Sequence, residues 1–411
     1  MNAPDRRIGA HGRGLGIIAD DLTGAMDTGV QFAKSGLETV VMLAEGEPPP
    51  AEMVVVSTDS RDIPPRDAYW RVRRAARLLA DRAIYKKIDS TLRGNLGPEL
   101  DGVMDELGLT HALVAPAFPA NGRTTMGGYH LVHGVPLSAS SFANDPLWPA
   151  SESHLPTLLA RQTARSVGHL PLATIEEGIE AVLEALSAQS AAVVAADATT
   201  ADHLHTLAVA VARLEGWLPC GSAGLAGQWP RALGVERPAA ELRWTADTAP
   251  ALVVAGSRNS ATAEQLRRAA AGGHLALLCP SGDGSDSAEV VARAAEELAR
   301  QRSVAITTTF STYREGETST TAAALAAMAA ELLARYRVAG LFLTGGDIAR
   351  AVALRLGARA LRALGEVQPG VPAGELVGGP HHGLRVVTKA GGFGDDRAII
   401  DAVAFLKGES G

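Results

Sequence analysis

An α/β fold in two domains, each a mainly parallel sheet flanked by helices, is what this sequence predicts, on three observations. Short apolar runs recur along the chain, and each ends in a cluster of polar or glycine residues. Most are followed by a stretch whose apolar residues have helical spacing, the alternation expected of parallel strands joined by helices. The chain has 411 residues, more than one core usually serves, and the Pro-, Arg- and Glu-bearing text from Trp229 to Pro250 has no strong period. Domains are therefore expected at 1–235 and 251–411, with a linker at 236–250.

Composition narrows the functional classes. With 46% hydrophobic and 20% charged residues, the chain reads as globular over most of its length. A net charge of −7 with interspersed signs argues against a nucleic-acid partner, and the Arg71–Arg74 cluster reads as a solvated helix face. Two cysteines, Cys220 and Cys279, cannot form a disulfide framework and suggest a reducing compartment. The N-terminal MNAPDRRIGAHGRG has no apolar signal core, and no run approaches the roughly 18 uncharged apolar residues of a membrane span. A cytoplasmic protein with no membrane partner is expected.

The first strand and helix lie in GIIADDLTGAMDTGVQFAKSG, Gly16 to Gly36. The strand ends in Asp20 and Asp21, and Leu22, Met26, Val30 and Ala33 follow at helical spacing. Side chains at the carboxyl end of a parallel strand line the crevice where open α/β sheets bind ligands. One of the two acids also suits the helix N-cap. Gly12, Gly14 and Gly16 imitate a dinucleotide fingerprint, but they precede the strand instead of following it, so that reading fails.

Strands are next expected at Glu38–Leu43 and Met53–Ser57, then a helix from Pro65 to about Asp81. Another strand, Ala83–Ile88, precedes a helix that includes Pro98–Leu107. Their ends deliver Thr58 to Arg61, then Lys87, Asp89, Ser90, Thr91 and Arg93, to the same edge as the acid pair. Polar residues of mixed sign suit a pocket for an anionic, hydroxyl-rich ligand: Arg61 and Lys87 can grip a carboxylate, and aspartates can accept hydroxyl protons. The bland alternative is a solvated rim of mutually paired charges. A strand at His111–Ala115 leads into a hairpin-like excursion around His133 and Gly134. His130 and His133 stand three apart, but the surrounding glycines argue against a helical zinc site. The 138–159 stretch is irregular. A strand at Ala191–Ala196 and a helix to about Leu214 precede CGSAGLAG, where small residues suit close backbone packing.

In the second half, the strand Ala251–Ala255 leads to Gly256 and Ser257, then to a helix in which Thr262 and Gln265 have capping-box spacing. The pattern returns at Leu341–Leu343 with Thr344, Gly345, Gly346 and Asp347. It returns again at Val386–Lys389 with Gly391, Gly392 and Gly394 ahead of a helix from about Asp395 to Leu406. Backbone N–H groups at such turns can hold a phosphate without a side-chain charge. Asp347 suits either a helix cap or a magnesium partner. No GxxxxGK[ST] sequence and no protein-kinase motif set is present.

Together the motifs resemble the four-carbon acid sugar kinases, a family that includes D-threonate, D-erythronate and 3-oxo-tetronate kinases. The residues that carry the resemblance are IADDLTGA (18–25), TDSR (58–61), KKIDSTLRGN (86–95), PAFPANGRTT (116–125), FANDP (142–146), GSAGLA (221–226), TGGD (344–347) and KAGGFG (389–394). The resemblance implies an N-terminal domain for the sugar acid and a C-terminal domain for ATP with Mg2+. The γ-phosphate would pass to the C4 hydroxyl. It places substrate contacts at Asp20 or Asp21, Arg61 and Lys87 to Ser90, and nucleotide contacts at Ser257, Thr344 to Asp347, Gly391 and Gly392. An aspartate of the pair, Asp21 in preference, would orient or deprotonate the hydroxyl. Rival readings are a sugar-acid dehydrogenase and a nucleotide-binding sensor of sugar acids. A homodimer is a further expectation.

Overall fold

The computed structural model describes residues 14–43, 46–145, 148–239, 241–281, 286–310 and 318–409. Gly12 of the rejected fingerprint and Pro146 of the FANDP motif lie outside them. Among the described residues, eighteen strands are distributed over two compact units. In chain order they are β1 (Leu15–Ala19), β2 (Thr39–Met42), β3 (Met53–Ser57), β4 (Ala83–Lys87), β5 (His111–Ala115), β6 (Arg123–Met126), β7 (Tyr129–Val132), β8 (Val135–Pro136) and β9 (Val167–Leu170). There follow β10 (Val193–Ala196), β11 (Trp217–Gly221), β12 (Ala251–Ala255), β13 (Ala276–Leu278), β14 (Val304–Thr307), β15 (Gly340–Thr344), β16 (Ala360–Gln368), β17 (Val371–Val377) and β18 (Arg385–Lys389).

The first unit comprises residues up to Thr39 together with Glu47–Ala239. Its sheet runs β3-β1-β4-β11-β5-β10-β9, and every pairing is parallel. All five residues of β1 are buried, because helices cover both faces of such a sheet and its strands must be apolar throughout. Strands β1, β3 and β4 lie side by side with Ala19 opposite Ser57 and Lys87, so their carboxyl ends come level. That register makes one site out of three loops. A separate antiparallel sheet, β6-β7-β8, contains the expected hairpin. The small residues of β11 and beyond also have a packing role. A Cβ on Gly221 or Gly224 would strike the carbonyl of Ala115 or Ala117.

The second unit comprises Val40–Gly46 and 240–411. Strands β13-β14-β12-β15-β18 are parallel, and β17 and β16 continue the sheet antiparallel. Next to β16 lies β2. The N–H of Leu43 donates to Arg359 O (3.1 Å), and Arg350 Nη1 donates to Leu43 O (2.7 Å). The core is built from alternate residues of β12, with Phe342 and Val387, against Ile399, Val403 and Leu406 of the last helix, Ala398–Leu406.

Two expectations need correction here, and one element was missed. Asn259 caps the helix Ser260–Ala271 through Ala261 N, so Thr262 and Gln265 form no capping box. The last helix begins at Ala398, not about Asp395, and a loop of eight residues separates it from β18. The β16–β17 hairpin was not anticipated, because its bulges at Ala363/Gly365 and Glu366/Gln368 break the alternation that marks a strand.

Candidate functional site

The acid pair divides its work in a way sequence could not specify. Asp21 is the N-cap of the helix Leu22–Lys34. Its Oδ1 accepts from Gly24 N (2.9 Å) and its Oδ2 from Thr23 Oγ1 (2.5 Å). Asp20, at the carboxyl end of β1, is 2% exposed. Between the two sits Arg61. Its Nε donates to Asp20 Oδ2 (2.6 Å) and its Nη1 to Asp21 Oδ2 (3.0 Å), and its Nη2 lies 2.8 Å from Asp21 Oδ1. The guanidinium therefore uses three of its five N–H groups on the pair. Asp21 has both oxygens occupied twice, whereas Asp20 Oδ1 meets no donor among the described residues.

Lys87 and Asp89 follow from β4. A Cβ placed on Gly24 would stand 2.6 Å from Asp21 Oδ1 and 2.7 Å from Lys87 Nζ, so this glycine lets ammonium and cap lie against the first helical turn. Asp89 accepts from Thr91 Oγ1 (2.6 Å) and Arg93 Nε (2.6 Å), with Arg61 Nη2 4.0 Å away. Burial alone would raise the Asp20 carboxyl, but the combined pull of Arg61, Lys87 and Lys86 outweighs it and holds the group below its ordinary value. Burial likewise opposes ionisation of Asp89, and Arg93, Arg61 and Lys87 overcome it, taking that carboxyl well below the usual range. Both acids are ionised at neutral pH. Asp59 and Leu92, in the loops after β3 and β4, adopt φ of 53° and 59°, a left-handed conformation that side chains rarely take outside tightly determined loops.

Beneath this cluster is a network in which the sequence assigns a role only to Ser90, as a substrate contact. Lys86, fully buried, pairs with Glu99 Oε2 (2.7 Å), and Ser60 Oγ donates to Glu99 Oε1 (2.6 Å). Asn95 Nδ2 donates to the carbonyls of Ser60 (2.9 Å) and Ile63 (2.8 Å), fixing the loop that carries Arg61. Ser90 is buried, and its carbonyl accepts from His130 Nε2 (2.7 Å), while Thr125 Oγ1 lies 3.0 Å from His130 Nδ1. Burial lowers the His130 pKa to about 4. The ring is thus neutral, with its proton on Nε2 facing the carbonyl. Lys86, Ser90 and Asn95 stand inside KKIDSTLRGN, whereas Ser60, Ile63, Glu99, Thr125 and His130 do not. The signal was present, but a motif does not say which lysine points to the ligand and which to the core.

In the second unit the glycine turns after β12, β15 and β18 converge. Thr344 pairs in register with Ala255 and with Lys389. Gly345, at φ 100°, lies so close to Ser257 that a Cβ would stand 3.5 Å from its N, and a Cβ on Gly391 would collide with Ser257 Oγ. Gly346 opens the helix Gly346–Arg355 and Asp347 stands in its first turn. Gly392 follows Gly391 in the loop. The Thr344 hydroxyl is buried and bonds to no described residue. Instead of capping, Thr262 Oγ1 donates to Gly391 O (2.9 Å), and Gln265 Nε2 reaches Phe393 O, Gly394 O and Asp395 O (3.2, 3.2 and 2.7 Å). Among the described residues no group of three or more His, Cys, Asp or Glu could hold a metal ion, and no helix is long and apolar enough to cross a membrane.

Comparison with known proteins places this architecture in a class. Residues 15–229 match the family model of a sugar-binding N-terminal domain, and residues 252–399 that of a nucleotide-binding C-terminal domain. Among curated relatives, the D-threonate kinase of Salmonella typhimurium is 35% identical, covering 95% of this chain and 98% of the relative. The D-erythronate kinase of Heliobacterium modesticaldum is 35% identical over 95% and 96%. The 3-oxo-tetronate kinase of Methylobacterium radiotolerans is 36% identical over 92% and 96%. A crystal structure from Salmonella typhimurium LT2, provisionally described as a tRNA synthase, superposes with a TM-score of 0.76 at 27% identity, covering 94% of this chain and 98% of that one. The chain belongs to the four-carbon acid sugar kinase family, whose named relatives are phosphotransferases acting on threonate, erythronate or 3-oxo-tetronate.

Proposed function

We propose that this protein is an ATP-dependent kinase that phosphorylates the C4 hydroxyl of a four-carbon sugar acid. The observation that carries the reading is the level meeting of Asp20, Asp21, Arg61, Lys87 and Asp89 at the carboxyl ends of β1, β3 and β4. A small polyhydroxy acid needs cations for its carboxylate and acceptors for its hydroxyls, and this cluster supplies both.

Because Asp21 is fully engaged as cap and Arg61 partner, Asp20 takes the role of hydroxyl acceptor, and its Oδ1, buried and without a donor among the described residues, is the atom to receive the hydroxyl proton. Its depressed pKa makes it a weak base. Phosphoryl transfer through a loose transition state asks mainly for orientation and late proton removal, so a weak base suffices. Lys87 and the two remaining N–H groups of Arg61 hold the substrate carboxylate. Ser257, Gly345 and Gly391 belong to turns that their glycines let pack closely together, and with Gly392 they form a backbone cradle of the kind whose N–H groups suit the phosphates of ATP. Asp347, in the first turn of the helix Gly346–Arg355, is the carboxylate that would hold magnesium alongside the nucleotide's phosphates, since Mg2+ usually takes only one or two protein carboxylates. When bound, the ion neutralises charge on the phosphates.

The test is coupled ADP release with ATP and each of D-threonate, D-erythronate and 3-oxo-tetronate, followed by NMR location of the phosphoester. Turnover on one of them with the phosphate on C4 is expected. A lack of turnover on all three returns the protein to the sensor reading, and NAD-dependent oxidation to the dehydrogenase reading.

A further inference from the structure

The last residue of β18, Lys389, is completely buried, and the ammonium group has three acceptors and no carboxylate among the described residues. It donates to Thr262 Oγ1 (3.1 Å), Ala390 O (3.1 Å) and Gly391 O (2.9 Å). Thr262 Oγ1 spends its own proton on Gly391 O, so toward Lys389 it can only accept. Three acceptors match the three protons of an ammonium, whereas a neutral amine would leave one of them unmet. Yet burial without a counter-ion pulls the group down to about 7. A buried cation lacking an anion is costly, and this one lies under a glycine loop.

The loop itself is fastened from one side. Lys389 and Thr262 take the carbonyls of Ala390 and Gly391, and Gln265 Nε2 takes those of Phe393, Gly394 and Asp395. Gln265 Oε1 has no donor among the described residues, so the carbonyls alone fix the orientation of this amide. A trans peptide points its C=O and the next N–H in opposite directions. Carbonyls 390 and 391 turned inward therefore turn the N–H groups of Gly391 and Gly392 outward, and neither donates to any described residue.

We propose that Lys389 is a positioning residue for the nucleotide's phosphates, drawing the loop's carbonyls inward so that its amides face the phosphate, and supplying from beneath the positive charge that the glycine turns lack. This rests on the nucleotide reading above. The ammonium does not touch the nucleotide and acts through the loop.

The test uses the full-length protein carrying Lys389→Met or Thr262→Val, the second a near-isosteric change that removes one link of the same clamp. ATP binding with magnesium is measured by calorimetry without sugar acid, and KM is measured separately for ATP and for the sugar acid. Lys389→Met is expected to weaken ATP roughly tenfold or more and Thr262→Val roughly threefold, as befits loss of bonds to a charged group. KM for the sugar acid should change less than twofold. Unchanged ATP affinity in both variants overturns the proposal, as does a parallel rise in both KM values, which marks a merely structural residue. If Lys389→Met does not fold, Thr262→Val decides by the same criteria. Failure of the wild-type protein to bind ATP removes the nucleotide reading, and this role with it.

Discussion

The two units build their candidate sites from opposite materials. In the first, the candidate site is made of charged side chains: two carboxylates share one guanidinium, and a lysine and a third carboxylate close the group. In the second, the surface is backbone, three glycine turns brought together with one cation hidden beneath. Under the proposed function, the difference follows from what each ligand would demand. A short acid with several hydroxyls must be told apart from its isomers, which takes directional charged partners. A phosphate chain presents similar oxygens on every side and can be held by N–H groups alone.

Substitutions that remove charge in one unit and add bulk in the other should therefore separate the two substrates. The largest effect is expected from Asp20→Asn, with kcat falling roughly 100- to 1000-fold and KM for ATP little changed in steady-state assays. Asp21→Asn should lose less turnover, since Asn still caps a helix; the reverse ranking would make Asp21 the acceptor. Next, Gly391→Ala puts a methyl into Ser257 Oγ, and KM for ATP should rise by roughly tenfold or more while that for the sugar acid stays constant. Arg61→Ala should do the opposite, raising KM for the acid by roughly tenfold. Because it strands two carboxylates, it should also lower stability by about 3 kcal/mol in denaturant unfolding. An equal rise in both KM values would erase the contrast between the units.

The smallest effect concerns pH. The buried His130 titrates at about 4 in the fold against about 6.5 when unfolded. Nothing changes above that range. As pH falls below about 6.5 the unfolded chain takes up a proton that the fold refuses, so stability declines, by about 2 kcal/mol between pH 7 and pH 5. His130→Gln should remove this part of the acid sensitivity, as read from unfolding free energies at the two pH values. An unchanged slope would show that the carboxylates dominate it.

Much of the first site could be read from sequence because an apolar run that ends in charges signals a strand end directly, and Asp20, Arg61 and Lys87 are such residues. The division between cap and acceptor could not, since either aspartate satisfies the cap rule and only φ/ψ and hydrogen bonds choose. Lys86 and Lys87 are adjacent on a strand and point to opposite faces. Which of them meets Glu99 depends on how the later helix Leu96–Leu107 packs. Thr262 and Gln265 misled for a related reason: the spacing of a capping box is local, while the carbonyls they hold lie about 130 residues away, from Gly391 to Asp395.

The seven residues Val40–Gly46 count with the second unit although both flanking segments belong to the first. Dividing the gene between the units is consequently not a matter of one cut near residue 240. A fragment that starts there is made without β2, and β16 then presents bare N–H and C=O groups along its margin, an invitation to borrow the missing strand from another copy. Fragments of the second unit made for crystallisation or labelling fare better when that segment is kept in cis, for example by circular permutation.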